Sequence, residues 1–190
     1  DLLGYKDLAS CVADLERSGA LVRIDCEVCA DLEIGSIQRR VYQAGGAALL
    51  FTRVKGSSFP MLGNLFGTLE RTRYIFRDTL KAVERLVKLK VDPRCALREP
   101  TTLVGAVPAA WHLLPRSVSD GPILAHRTTI DQLPQLKSWP DDGGAFITLP
   151  QVYSESALQP GLRHSNLGMY RVQLSGGEYR SNEEIGVHYQ

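Results

Sequence analysis

Near the start of the chain, apolar residues recur at helical spacing. Leu8, Cys11, Val12 and Leu15 fall at i, i+3, i+4 and i+7, which predicts a helix over 6–18 that Gly19 stops. Leu21-Val22-Arg23-Ile24-Asp25 then alternates apolar and polar side chains, the pattern of a half-buried strand. Ile34, Ile37, Gln38 and Val41 line one face of a second helix, with Asp31 as the candidate N-cap, Glu33 in the first turn and Gly45-Gly46 at the end. A buried strand over 47–54, a turn at Lys55-Gly56-Ser57-Ser58 and a strand over 60–66 broken by Gly67 follow. The longest predicted helix covers 69–90. Its apolar stripe is Tyr74, Leu80, Val83, Leu86 and Val87, its other faces carry Arg71, Arg73, Arg77, Lys81, Arg85 and Lys88, and Asp92-Pro93 ends it.

From Glu99 the texture changes. Pro100, Pro108, Pro115, Pro122, Pro134, Pro140 and Pro150 punctuate this half. A short helix around 107–114 precedes strand-like runs at 123–128, 145–153, 168–174 and 185–190. Trp139-Pro140-Asp141-Asp142-Gly143-Gly144 is a turn signal, and Ser175-Gly176-Gly177 reads as a hairpin connection. The pattern predicts an α+β protein, with an N-terminal α/β layer over 1–98 and a β-barrel or sandwich over 99–190.

Composition narrows the classes. Lys+Arg 22 against Asp+Glu 21 leaves a formal net charge of +1, too balanced for a protein built around a nucleic-acid backbone. The basic face of the 69–90 helix is offset by Glu70, Asp78 and Glu84. No apolar run approaches the ~20 residues that span a bilayer, and the first residues lack the pattern of a signal peptide. The absence of an initial Met leads us to expect a trimmed N-terminus. Cys11, Cys26, Cys29 and Cys95 suit a reducing cytoplasm. Cys26-Glu27-Val28-Cys29 has no second pair to complete a zinc site and reads as two small residues at a strand end. P-loop and dinucleotide fingerprints are absent.

The chemistry gathers near the C-terminus. Ser165-Asn166-Leu167-Gly168-Met169-Tyr170-Arg171 and Gly186-Val187-His188-Tyr189-Gln190 supply an amide oxygen, a guanidinium and an imidazole. Hard cations accept amide oxygens, Mn²⁺ also accepts imidazole, and a buried guanidinium fork suits a carboxylate. In a regular strand Asn166 and Arg171 face opposite sides. They share a site only if Asn166 precedes the strand or Gly168 marks a bulge.

These blocks, with Asp31-Leu32-Glu33-Ile34, 44–51, Gly63-Asn64-Leu65-Phe66-Gly67-Thr68, Pro115-Arg116-Ser117-Val118-Ser119, and Trp139-Pro140 through 147–153, carry a resemblance running in order through nearly the whole chain. The chain resembles the N-terminal part of the UbiD-type decarboxylases, the prenylated-FMN-dependent family of 3-octaprenyl-4-hydroxybenzoate carboxy-lyase. That resemblance implies an α/β domain followed by the first part of a flavin-reductase-like split β-barrel. It implies that Asn166 and His188 ligate a divalent metal, usually Mn²⁺, which holds the phosphate of prenylated FMN. The backbone of Leu167, Gly168 and Met169 would line the flavin. Arg171 would be the catalytic arginine that orients the carboxylate of a small aromatic or α,β-unsaturated acid. The cofactor would carry the hard step at the substrate's unsaturated carbon, and CO₂ would leave.

The same resemblance implies a cytoplasmic homo-oligomer supplied by a flavin prenyltransferase, working in quinone biosynthesis or aromatic acid breakdown. A third metal ligand and two catalytic glutamates of the family do not match Glu178, Glu183 or Glu184, so this chain by itself is expected to be inactive. Two other readings are a non-catalytic assembly module on the same scaffold and a flavin reductase-like oxidoreductase.

Overall fold

A computed structural model describes residues 4–94, Arg98 and residues 118–188. The helix expected around 107–114, the Pro115-Arg116-Ser117 block, Cys95 and the last two residues of the strand expected at 185–190 lie outside the described residues. The fold is mixed α+β with small sheets, and the described strands do not close a barrel. No helix among the described residues is long and apolar enough to cross a membrane. The chain groups into two compact units, one drawn from the described residues of 1–21 and 65–127, the other from 22–64 and 128–190.

In the first unit, helix α1 (Leu8–Arg17) begins at Asp7, whose carboxylate accepts the Ser10 amide at 2.7 Å. It ends at Ser18, and Gly19 takes a positive φ of 73° as the following left-handed residue. Cys11 and Leu15 are buried, but Leu8 stays exposed.

The helix expected over 69–90 is two helices, α3 (Leu69–Ile75) and α4 (Leu80–Val91). Local side chains compete with the helical ladder at the break. Arg77 donates to the Tyr74 carbonyl at 2.8 Å, Thr79 Oγ1 donates to the Phe76 carbonyl at 3.2 Å, and Phe76 stacks on Phe66 with ring centroids 5.9 Å apart. Arg71, expected on a solvated face, is buried and donates through Nε to the Leu65 carbonyl at 2.9 Å. The part of the expected apolar stripe that lies on α4 is not buried: Leu80, Val83 and Val87 are exposed.

A polar staple ties α1 to the turn after α3. Tyr5 donates to Asp14 at 2.6 Å, Arg77 donates to Asp14 at 2.9 Å and to Tyr5 at 2.7 Å, and the guanidinium lies 4.2 Å from the Tyr74 ring centroid. The Tyr5 hydrogen bond, with help from Tyr74, Arg77 and Arg17, outweighs burial and lowers the Asp14 carboxyl from 3.8 to about 2. A carboxyl depressed on folding stabilises the fold above its unfolded pKa, and that contribution is lost as pH falls through the folded value. Asp14→Asn is therefore expected to flatten the fall in stability between pH 3.8 and about 2, read as urea midpoints across that window.

In the second unit, strands β1 (Leu21–Val28), β2 (Ala48–Val54) and β3 (Met61–Gly63) form a sheet in that order, with helix α2 (Glu33–Gln43) between the first two in sequence. β2 and β3 are antiparallel, with Leu50 opposite Leu62. Asp31 does not cap α2. The cap position is Leu32 at φ 65°, and the Glu33 carboxylate instead reaches back to accept the Cys29 amide at 2.8 Å. The backbone of Asp31 pairs with that of Lys137 in an isolated parallel β-bridge. The strand expected over 60–66 stops at Gly63, because Asn64 turns to φ 52° and donates its side-chain amide to the carbonyl of Ala47 at 2.8 Å. Val28, Ala30, Ile34, Leu49, Phe51, Val54 and Leu136 form the core, with Ile24, Ile37, Val41 and Met61 packed on it. Cys26 and Cys29 are free thiols at the end of β1.

The expected run at 123–128 is not a strand. Pro122 lacks an amide donor and starts a 3₁₀ turn over Pro122–Ala125, closed by Leu124 N–H on the Gly121 carbonyl at 3.0 Å. The run at 145–153 splits around Pro150 into β4 (Phe146–Ile147) and β5 (Gln151–Glu155). The run at 168–174 splits at Tyr170 into β6 (Ser165–Met169) and β7 (Arg171–Gln173). With β8 (Gly186–His188) these make two sheets, β4-β7-β8 and β5-β6. Backbone bonds from Lys137 to Ala30 (3.1 Å) and from Phe146 to Leu136 (2.8 Å) tie β4 to the core.

Candidate active site

One face of the β4-β7-β8 sheet collects polar chemistry. Arg171 lies opposite His188, and Gln173 lies opposite both Phe146 and Gly186. Alternation puts Arg171 and Gln173 on one face of β7 and Val172 on the other, where it packs with Ala145 and Leu174. The Arg171 guanidinium sits 3.7 Å over the Phe146 ring, and the His188 ring meets Phe146 edge-on with centroids 5.6 Å apart. Thus one phenyl ring orients both the cation and the imidazole.

Arg171 also donates to Asp142 Oδ1 at 3.0 Å, with 42% of its side chain exposed against 12% for Asp142. The turn at 138–142 holds this carboxylate by the amides of Ser138 (3.2 Å) and Trp139 (3.1 Å) on Oδ2. Burial by itself would raise the Asp142 pKa. The Arg171 hydrogen bond and the two amides outweigh it and leave the carboxyl below its ordinary range. Arg171 is therefore oriented before any ligand arrives, with a free side toward solvent.

The loop bearing Asp142 crosses the end of β7 at very close range. A Cβ on Gly144 would overlap the Ser175 carbonyl, and one on Gly176, at φ 89°, would overlap the Gly143 carbonyl. That crossing places the Gly143 and Ser175 carbonyls beside the buried Gln173 side chain.

Asn166 sits elsewhere, in the two-stranded sheet, opposite Ser154. It lies inside a strand and Gly168 is not the break, so neither of the two expected geometries is present. The chain changes sheets at Tyr170 instead. Asn166 donates its side-chain amide to the Tyr170 hydroxyl, and the Tyr170 ring lies close over Gly168, where a Cβ would overlap it. The other face of β6 carries Leu167 and Met169, both exposed, with Tyr153 opposite Leu167 and also exposed. The result is an open apolar platform on the face of β6 opposite Asn166. The structure thus pairs Arg171 with His188, and places Asn166 through Met169 on the adjoining sheet.

Among the described residues no cluster of three or more His, Cys, Asp or Glu side chains could hold a metal. Asn166 and His188 offer two neutral donors, which suit part of a hard-cation shell but need anionic ligands from elsewhere. Glu183 and Glu184 form local ion pairs with Arg180 at 3.1 and 2.9 Å. Asp142, Phe146 and Gln173 were not singled out by sequence reasoning. Gln173 could have been, since it is two residues from Arg171 and so shares its face.

Two family models match the chain: the N-terminal domain of 3-octaprenyl-4-hydroxybenzoate carboxy-lyase over residues 12–90, and the Rift-related domain of the same enzyme over residues 116–190. A Chlamydia pneumoniae protein named as a component of 4-hydroxybenzoate decarboxylase is 39% identical over 181 residues, covering 90% of this chain and 28% of its own length. A solved structure of an evolved dimeric form of the UbiD-class enzyme HmfF from Pelotomaculum thermopropionicum, in complex with prFMN, aligns with a TM-score of 0.65 at 21% identity. It covers 98% of this chain and 39% of that one. The closed form of Sedimentibacter hydroxybenzoicus vanillic acid decarboxylase aligns at 0.69 and 18% identity, covering 98% of this chain and 37% of that one. The chain spans about a third of the length of the curated relatives it matches.

Proposed function

We propose, from the premise that this chain belongs to the 3-octaprenyl-4-hydroxybenzoate carboxy-lyase (UbiD) family, that it is the N-terminal part of a non-oxidative decarboxylase of aromatic or α,β-unsaturated acids. The observation that carries the reading is the cross-strand pair of Arg171 and His188 on the Phe146 ring. A half-exposed guanidinium with a fixed plane is suited to orient a substrate carboxylate bidentately. Asp142 keeps it in place and offsets part of its charge.

Asn166 and His188 would hold a divalent metal such as Mn²⁺, with a cofactor phosphate and a carboxylate from beyond the described residues completing the shell. The apolar platform of Tyr153, Leu167 and Met169, with the backbone of Leu167, Gly168 and Met169, would receive the flat ring of prenylated FMN. When bound, that cofactor supplies the electron sink for C–C cleavage. This reading divides the chain into an α/β domain over 1–98 and the first strands of a split barrel over 99–190. It also carries with it a homo-oligomeric enzyme, a flavin prenyltransferase as supplier, and a place in quinone biosynthesis or aromatic acid breakdown.

The test is reconstitution of the complete polypeptide that carries this chain with prenylated FMN and Mn²⁺, with CO₂ release measured across a panel of aromatic and unsaturated acids. Release is expected from the complete polypeptide and none from the 190-residue chain alone. Flavin reduction by a nicotinamide donor without CO₂ would favour the oxidoreductase reading. No turnover of either kind, with the fold intact, would favour an assembly module.

A further inference from the structure

We propose that Gln173 fixes the tautomer of His188, so that the imidazole carries a proton on Nε2 and, when neutral, keeps its lone pair on Nδ1. The side-chain amide of Gln173 is buried, with the residue 6% exposed. Its Nε2 donates to the carbonyls of Gly143 at 3.3 Å and Ser175 at 3.1 Å. Carbonyl oxygens only accept, so the NH₂ end of the amide must face them and the oxygen end must face away. Oε1 then meets His188 Nε2 at 2.9 Å. An amide oxygen cannot donate, so the proton of this hydrogen bond sits on the imidazole nitrogen. Turning the amide over would lose both of these hydrogen bonds and set the buried amide oxygen against two carbonyl oxygens, which only accept.

The surroundings support the same arrangement. The close crossing at Gly144 and Gly176 sets the positions of the two carbonyls, and the edge contact with Phe146 sets the plane of the imidazole. A histidine ligand takes its metal on the nitrogen that does not carry the second hydrogen bond. Gln173 is therefore a positioning residue: it acts through His188, and makes Nδ1 the atom that can donate to a cation. The tautomer follows from the hydrogen bonds alone, and its use for a metal rests on the function proposed above.

Nitrogen-15 spectra of the histidine rings test the lock, with His188 assigned by its loss in His188→Asn. In wild-type protein Nε2 is expected at the shift of a protonated, pyrrole-type nitrogen and Nδ1 at that of a bare, pyridine-type one. A proton on Nδ1 of neutral His188 overturns the proposal, and this measurement needs no variant to fold. Gln173→Met keeps an unbranched side chain of the same length but removes the oxygen. It is expected to move both His188 nitrogens to averaged shifts, and shifts unchanged from wild type would also overturn the proposal.

Mn²⁺ alone, added to the complete polypeptide, is expected to bind about 10–100-fold more weakly in Gln173→Met. If Mn²⁺ leaves wild-type His188 unperturbed while the proton stays on Nε2, the metal role proposed above fails and the lock stands.

Discussion

Arg171→Ala, introduced into the complete polypeptide, is expected to lower kcat/KM for decarboxylation by about 10²–10³-fold, the usual loss when one charge-stabilising donor is removed from a site. The fold should survive. Arg171 and Asp142 form a partly exposed pair, with 42% and 12% of their side chains accessible, and such pairs contribute little to stability. Asp142 keeps its two backbone amides when the guanidinium is gone. Function should suffer more, because the stack on Phe146 and the bond to Asp142 together fix the plane of the fork. Arg171→Lys should recover only part of the loss: an ammonium is a point charge and cannot reproduce a bidentate contact. Initial rates and circular dichroism on the same preparations separate the two effects. A variant with near wild-type kcat/KM would remove Arg171 from the chemistry of decarboxylation.

Phe51→Ala is expected to cost about 3–5 kcal/mol of stability, a large part of the roughly 5–15 kcal/mol that holds a typical domain. Phe51 is fully buried at the centre of β2, clustered with Ile34, Leu49, Val54 and Leu136, so truncation leaves a cavity lined by three separate segments of chain. Those segments cannot all collapse inward, because the β2–β3 register and the backbone bonds from Lys137 to Ala30 hold them apart. Urea unfolding should show a lower midpoint with an unchanged slope. Leu158→Ala is the control: at 94% exposure it should change stability by no more than about 0.5 kcal/mol. A Phe51→Ala midpoint equal to that of the control would mean that the core is not where the buried side chains place it.

What could be read from the sequence followed from local period. The spacing of Leu8, Cys11 and Leu15 locates α1, the apolar run at 47–54 locates β2, and Gly19 and Gly45 mark helix ends where the backbone turns left-handed. The misreadings have a common cause. Apolar spacing continues from Tyr74 through Leu80 to Val87, but Arg77 and Thr79 bond back to nearby carbonyls and break the helix there. Asp31 is a good capping residue type, yet its backbone pairs with Lys137 in a β-bridge and Leu32 takes the cap position.

The site divides in the same way. Arg171, His188 and Asn166 enter the candidate site through the motif resemblance. Asp142 was not, since it is 29 residues from Arg171 and nothing in a turn signal says which strand the turn will meet. The separation of Asn166 and Arg171 onto different sheets also depends on the break at Tyr170, which no glycine or proline announces.

The core of the second unit has a consequence for how the protein is made. Phe51 and most of its neighbours belong to the first third of the chain, but Leu136, which completes the cluster, lies far downstream. A ribosome adding about 5–20 residues per second needs roughly 4–16 s to pass from Val54 to Leu136. During that interval the nascent β1–α2–β2 layer carries an apolar face with its last partner still unsynthesised. Slowing translation across 55–136 should lengthen the time this face is open to chaperones, and the yield of folded protein should follow chaperone supply more closely than the finished fold's stability would suggest.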